Sequence, residues 1–140
     1  LASREGGILV DYEGAPHPDP LGIALGVING VIHPLRYKEA MELLKEVDTQ
    51  LGVTIYCKHN PLNAEEAAVI ERTQGKVVWP FVVGYTIKAA RIMGENSFAQ
   101  QQWVKFNSQT GLREWYDPQT GKGYGALLQG WSAALYLTTQ

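Results

Sequence analysis

One carboxylate near the C-terminus lies among aromatic and turn-forming residues. Glu114 directly precedes Trp115 and Tyr116, and the turn sequence Asp-Pro-Gln-Thr-Gly follows at 117–121. Aromatic neighbours desolvate a carboxyl group, and their flat faces can stack on the C–H surface of a sugar ring. Asp, Pro and Gly in this order favour a tight turn, and further glycines would let the loop approach a ligand closely. These residue types indicate a carboxylate that acts on a carbohydrate.

The same segment also fits a plain surface β-hairpin. Residues 112–116 and 122–124 would form the two strands, joined by the turn at 117–121. In that interpretation Glu114 is a solvated side chain, and the aromatic residues stabilise the hairpin through cross-strand packing. The local sequence leaves both interpretations open.

A second group of ionisable residues lies in the N-terminal segment. Asp11, Glu13 and Asp19 flank His17, which would suit a second acid, a metal site or solvated loop charges. The other two histidines lie beside prolines, and their spacing matches no zinc motif. The sequence contains no phosphate loop, nucleophile elbow or dinucleotide fingerprint. We therefore expect no metal and no cofactor.

Composition narrows the class of protein. A length of 140 residues fits one domain, and 45 % hydrophobic with 19 % charged residues is typical of a folded globular chain. A net charge of −2 with scattered basic residues argues against nucleic acid and anionic membranes as partners. Cys57 has no second cysteine to pair with, and no leader segment is evident, which favours the cytoplasm. The first residue is Leu1 instead of Met, which fits a portion of a longer or trimmed protein.

The elements that must position Glu114 are predicted to be helices of two kinds. Segments that are apolar all round predict buried helices, and these lie at 20–32, 77–93 and 126–137. Segments with one apolar and one charged face predict outer helices, and these lie at 36–51 and 96–107. A capping box of Asn63 and Glu66 predicts a further short polar helix to about Gln74.

Prolines and glycines mark where these helices begin and end. Pro20 and Pro80 suit first helical turns, whereas Gly52 and Gly94 suit C-terminal caps. Three glycines at every fourth position would form a stripe along the first helix, against which another backbone packs closely: Gly22, Gly26 and Gly30. The alternation of buried and amphipathic helices predicts an all-α fold of concentric rings, with the apolar helices inside.

Three stretches carry a resemblance to a known group of enzymes. They are Gly75–Pro80 with Gly84 and Tyr85, Gly94–Ala99, and Glu114–Gly121 with Gln129–Ala134. They resemble the C-terminal part of α-toroid glycoside hydrolases, which include processing α-glucosidases, mannosylglycerate hydrolases, trehalases and amylo-α-1,6-glucosidases. The likeness is best over residues 75–137, and residues 20–52 agree in pattern.

The resemblance implies a fold, a reaction and a set of site residues. The single domain 1–140 would be a partial (α/α)6 toroid of about three helix pairs, with a catalytic-type loop or hairpin near its C-terminus. Related enzymes hydrolyse α-glycosidic bonds with inversion, so Glu114 would be the general base, opposed at roughly 6.5–9.5 Å by a general acid. Five aromatic residues would contact the sugar or shape the site: Trp79, Trp115, Tyr116, Tyr124 and Trp131.

The general acid of such enzymes would lie upstream of this chain. We therefore expect that the isolated chain does not hydrolyse sugars and that its exposed inner helices need a partner. That partner would be the rest of the toroid, supplied by the upstream polypeptide, a second chain or self-association. One alternative is a non-catalytic carbohydrate-binding or scaffold module, and another is that Asp11, Glu13 or Asp19 supplies the acid and two copies complete a ring.

Overall fold

The computed structural model describes residues 19–55, 77–109 and 111–139 together with the backbone of two short strands at 2–3 and 9–10. This part of the chain is mostly helical, as an all-α fold predicts. Its helices are α1 (Pro20–Ile28), α2 (Tyr37–Glu46, after a 3-10 turn at Pro34–Arg36), α3 (Pro80–Ile92), α4 (Asn96–Ser108) and α5 (Gly130–Thr138). The helix predicted from Asn63 lies outside the described residues.

Short antiparallel hairpins accompany these helices. Strands β1 (Ala2–Ser3) and β2 (Leu9–Val10) pair, as do β3 (Asp48–Thr49) and β4 (Gly52–Val53), and β5 (Trp115–Tyr116) and β6 (Gly123–Tyr124). The all-helical prediction therefore missed the hairpin at 48–53, whereas the hairpin at 115–124 was one of its two open interpretations.

Helix α1 is shorter than predicted because a glycine ends it. Gly30 has a φ of +68°, and the N–H groups of Val31 and Ile32 both donate to the carbonyl of Gly26. This is a left-handed C-terminal cap, so Gly30 lies in the cap and not on the helical stripe. At the other end Asp19 caps the helix, accepting hydrogen bonds from Leu21 N–H (3.0 Å) and Gly22 N–H (2.9 Å).

Helix α2 also ends earlier than predicted, at Glu46 instead of Leu51. The next residues form the β3–β4 hairpin because α4 binds it. Lys105 forms a 2.5 Å ion pair with Asp48, and the Gln102 amide donates to the other oxygen of Asp48 at 2.8 Å. Gly52, predicted as a helix cap, lies in β4 with a φ of +124°.

The predictions for α3 and α4 are confirmed to within a few residues. Helix α3 begins at Pro80, whose missing N–H is harmless in a first turn, and a left-handed Gly94 follows its end. Residues 77–79 precede the helix in an extended conformation, and Val78 forms a β-bridge with Tyr116.

Helix α3 is the centre of the described fold. It packs against α1, α4 and α5, and α2 packs against α1. Gly84 of α3 allows the close approach of α5, since a Cβ there would lie 2.7 Å from Cβ of Leu135. Helices α1 and α3 are largely buried and α2 is amphipathic, as predicted.

Helix α5 differs from its prediction in length and in burial. It begins at Gly130 instead of Ala126, because Leu128 adopts a left-handed φ of +58°. Within the helix only Ser132 and Leu135 are buried, so the expected buried helix carries an exposed face that includes Trp131 and Leu137.

Candidate functional site

The segment around Glu114 folds as a two-stranded hairpin with a tightly bonded turn. Trp115 lies opposite Tyr124, and Tyr116 lies opposite Gly123. In the turn, the Asp117 carboxylate accepts hydrogen bonds from the main-chain N–H of Gln119 (2.8 Å) and the hydroxyl of Thr120 (2.8 Å). These bonds, led by that from Gln119, favour the ionised carboxylate and lower the pKa of Asp117. The turn predicted at 117–121 is confirmed.

Tyr116 anchors the hairpin to the core. Its side chain is 1 % exposed, and its N–H and C=O exchange hydrogen bonds of 2.8 and 2.9 Å with Val78. The phenol oxygen accepts a 3.0 Å hydrogen bond from Arg113 N–H, and burial raises the pKa of Tyr116. Gln50 of the β3–β4 turn also donates its amide to the carbonyl of Pro118. Among the predicted site aromatics, Tyr116 therefore has a supporting position beneath the surface.

Glu114 is held by the segment that follows the hairpin. Its N–H donates to the carbonyl of Ala126 at 2.9 Å, and its Oε2 accepts a hydrogen bond of 3.0 Å from the N–H of Ala126. Gly125 lies directly against the side chain with a φ of +69°. A Cβ at Gly125 would be 2.6 Å from Cβ of Glu114 and closer still to Oε2. The main chain thus imposes a defined orientation on the Glu114 carboxylate, through a hydrogen bond at the protein surface.

An aromatic stack lies on the hairpin that follows Glu114 in the chain. The rings of Trp115 and Tyr124 are 4.4 Å apart and inclined by 13°, and Lys122 Nζ lies 5.2 Å from the centre of the Tyr124 ring. Both aromatic side chains are half-buried, which leaves part of each surface open to solvent. Flat aromatic surfaces of this kind can stack on sugar rings or simply stabilise a hairpin.

A second aromatic cluster joins the start of α3 to α5. The ring of Phe81 packs edge-on against Trp79, with centroids 5.6 Å apart, and tilted by 38° against Trp131, with centroids 5.4 Å apart. Trp131 is 57 % exposed, and the buried Nε1 of Trp79 has no hydrogen-bond acceptor within the described part of the chain. Sequence reasoning did not select Phe81; its position beside the Trp-Pro pair was the available signal.

The structure thus separates the predicted aromatics into three places. Trp115 and Tyr124 stack together, Trp79 and Trp131 meet through Phe81, and Tyr116 lies in the core. The residues that sequence reasoning missed are Gly125 and Ala126 as partners of Glu114. The glycines after the turn, among them Gly125, were expected only to let the loop approach a ligand closely. No pattern in the sequence indicated that the amide of Ala126 reaches a side chain twelve residues earlier.

The other candidate groups have structural roles where they are described. Both carboxylate oxygens of Asp19 accept hydrogen bonds from the first turn of α1, and His33 Nδ1 accepts a 3.3 Å bond from Leu35 N–H. Asp11, Glu13, His17, Cys57 and His59 lie outside the described residues. Within residues 19–55, 77–109 and 111–139, no three His, Cys, Asp or Glu side chains gather into a metal site.

None of the helices in the described part of the chain has the length and apolar character needed to cross a bilayer.

Comparison with known proteins identifies no relative of this chain. No family model matches the chain, and no curated protein matches it at a significant level.

Proposed function

We propose that the chain is a sector of an α-toroid glycoside hydrolase in which Glu114 is the general base of an inverting reaction. The observation that carries this proposal is the double hydrogen bond between Glu114 and Ala126. A general base must be aimed at its water before the reaction begins. The amide of Ala126 engages Oε2, and a carboxylate has a second oxygen with which to accept the proton.

The aromatic groups support a carbohydrate as the substrate. The Trp115–Tyr124 stack directly follows Glu114 in the chain, and Trp131 exposes more than half of its surface at the start of α5. Aromatic faces bury the C–H surface of a sugar while their polar edges remain hydrated. A substrate held in this way would present its anomeric carbon to the water that Glu114 activates.

The general acid is assigned to another part of the toroid. Three leucine side chains in and before α5 are more than half exposed: Leu127, Leu128 and Leu137. Several large apolar side chains exposed in one part of a fold indicate an interaction site. We therefore propose that the remaining part of the toroid covers these leucines and brings the acid to the site. Hydrolysis is expected of the complete assembly and not of the isolated chain.

The decisive experiment compares two glutamate variants in that assembly. The assembly is first isolated by gentle purification and identified by native mass spectrometry, and hydrolysis of α-linked disaccharides is then followed by NMR of the released anomer. Glu114→Gln should lower kcat by roughly 10²–10⁴-fold, because the variant cannot accept a proton from water. Glu42→Gln, on the exposed face of α2, serves as the control and should retain the rate. Turnover that survives Glu114→Gln would exclude Glu114 as the base.

A carbohydrate-binding module is the second candidate, favoured by the parallel Trp115–Tyr124 stack. A binding module needs the aromatic surface but not the aimed carboxylate. In that case the assembly would bind α-glucans, seen as a change in tryptophan fluorescence, and would release no free sugar. Binding that is insensitive to Glu114→Gln, together with an absence of hydrolysis, would favour this function over the first.

A further inference from the structure

We infer that Gly125, together with the main-chain N–H of Ala126, is the positioning element that aims the Glu114 carboxylate. This inference rests on the proposed function and adds a residue whose role would be to orient the base. Gly125 would act through Glu114 and would not itself touch the substrate.

The first step of the inference is steric. The carboxylate of Glu114 lies across the α-carbon of Gly125, where any larger residue would place a Cβ inside van der Waals contact with the Glu114 side chain. An exposed glutamate usually samples several rotamers. Here the absence of a side chain at Gly125 creates the space that one rotamer occupies.

The second step concerns the backbone conformation at the same residue. Gly125 has a φ of +69°, and in this left-handed conformation the next N–H, that of Ala126, donates to Oε2 of Glu114. A left-handed φ is open to glycine and costly for other residues. One glycine therefore provides both the space for the carboxylate and the direction of the donor.

The third step links this geometry to the rate. A hydrogen bond to one oxygen of a carboxylate limits its rotation, so the other oxygen keeps a constant direction towards the attacking water. Misplacement of a reacting group by about 1 Å can lower a rate about 10²-fold. Because a base acts on the transition state and not on substrate binding, the loss should appear in kcat and not in KM.

The test uses variants that separate the contact from the backbone conformation. Gly125→Ala introduces both the strain and the clash, whereas Gly125→Asn introduces the same Cβ with a side chain that tolerates a left-handed φ. The control is Gly30→Ala, because Gly30 has a φ of +68° and nothing within 4 Å of an added Cβ. Both Gly125 variants should lower kcat of the complete assembly by about 10–100-fold with KM changed less than twofold. Gly30→Ala should leave both constants unchanged.

A second readout does not depend on activity. Hydrogen exchange at the Ala126 amide, measured by NMR on the chain itself, should become at least about tenfold faster in both Gly125 variants. It should be unchanged in Gly30→Ala. This result would show that the carboxylate has left the Ala126 amide whether or not Glu114 is a catalytic base.

The two proposals fail in different ways. Unchanged Ala126 exchange in both Gly125 variants, or a rise in KM with constant kcat, would overturn the positioning role while leaving Glu114 as the base. Unchanged turnover in Glu114→Gln would instead overturn the proposed function, and with it the catalytic meaning of the Gly125 contact. An equal loss of kcat in Gly30→Ala would attribute the effect to general destabilisation and would also overturn the positioning role.

Discussion

Replacing Gln102 by methionine should remove the side-chain hydrogen bonds that hold the β3–β4 hairpin on α4. The Gln102 side chain is fully buried; its Oε1 accepts a 3.2 Å hydrogen bond from Val53 N–H, and its Nε2 donates to Asp48 at 2.8 Å. Methionine has a similar length and a similar helix propensity. The substitution therefore removes the two polar contacts with little change in the packing volume or in the stability of the isolated helix.

The expected loss in the free energy of unfolding depends on whether each group that Gln102 no longer bonds can find another partner. Val53 is buried, so its N–H would be left without an acceptor, at a cost of about 1–3 kcal/mol. Asp48 keeps its ion pair with Lys105 and is partly exposed, so water can replace the lost amide and the further cost is about 0.5–1 kcal/mol. We expect Gln102→Met to lower the free energy of unfolding by about 1.5–4 kcal/mol, a large share of the stability of a small domain.

Urea unfolding followed by circular dichroism measures this loss, and the neighbouring glutamine supplies the control. Gln101 lies on the exposed face of the same helix, so Gln101→Met should change the free energy of unfolding by no more than about 0.5 kcal/mol. Hydrogen exchange at Val53 should accelerate in the Gln102 variant alone. If the free energy of unfolding changes by less than about 0.5 kcal/mol in both variants and the Val53 amide stays protected from exchange, Gln102 does not hold the hairpin on α4.

Two further changes test the turn and the helix contact. Folding lowers the pKa of Asp117, so the ionised carboxylate stabilises the protein above its unfolded pKa of about 4. This stabilisation disappears as the pH falls through the lower folded pKa. Asp117→Asn should therefore weaken the dependence of the free energy of unfolding on pH in the acid range. Urea midpoints between about pH 2 and 6 measure this effect, and parallel curves for the two proteins would contradict it. Gly84→Ala should destabilise the protein by about 1–3 kcal/mol despite the better helix propensity of alanine, because the new Cβ would meet Leu135 at 2.7 Å. The double variant with Leu135→Gly, which removes the clashing Cβ, should lose less than the sum of the single variants, and additive losses in thermal unfolding would argue against this contact.

Helix positions were predictable where local signals agree. Pro80 and Gly94 bracket α3 because their conformational limits act on their own residues, whatever the chain packs against. The turn at Asp117 was predictable for the same reason, since its hydrogen bonds reach only two or three residues along the chain.

The end of α2 was not predictable in this way. The apolar periodicity continues to Leu51, yet the helix stops at Glu46 because Gln102 and Lys105 bind Asp48 across 54 and 57 residues of sequence. A similar limit applies to α5, whose uniformly apolar sequence indicated complete burial. Apolar composition indicates that a helix surface favours burial against another surface, but it does not indicate whether the described part of the chain supplies that surface.

The sequence by itself determined which residue types lie near Glu114, because they are its immediate neighbours. Only the tertiary structure decided what each of them does. Pairing with Val78 buries Tyr116, while Trp115, one residue earlier, stacks with Tyr124 on the hairpin. Likewise, Glu114 acquires its orientation from the amide of Ala126 beside a left-handed Gly125. Local chemistry follows from residue identity, whereas the direction of a side chain depends on backbone contacts between residues that folding brings together.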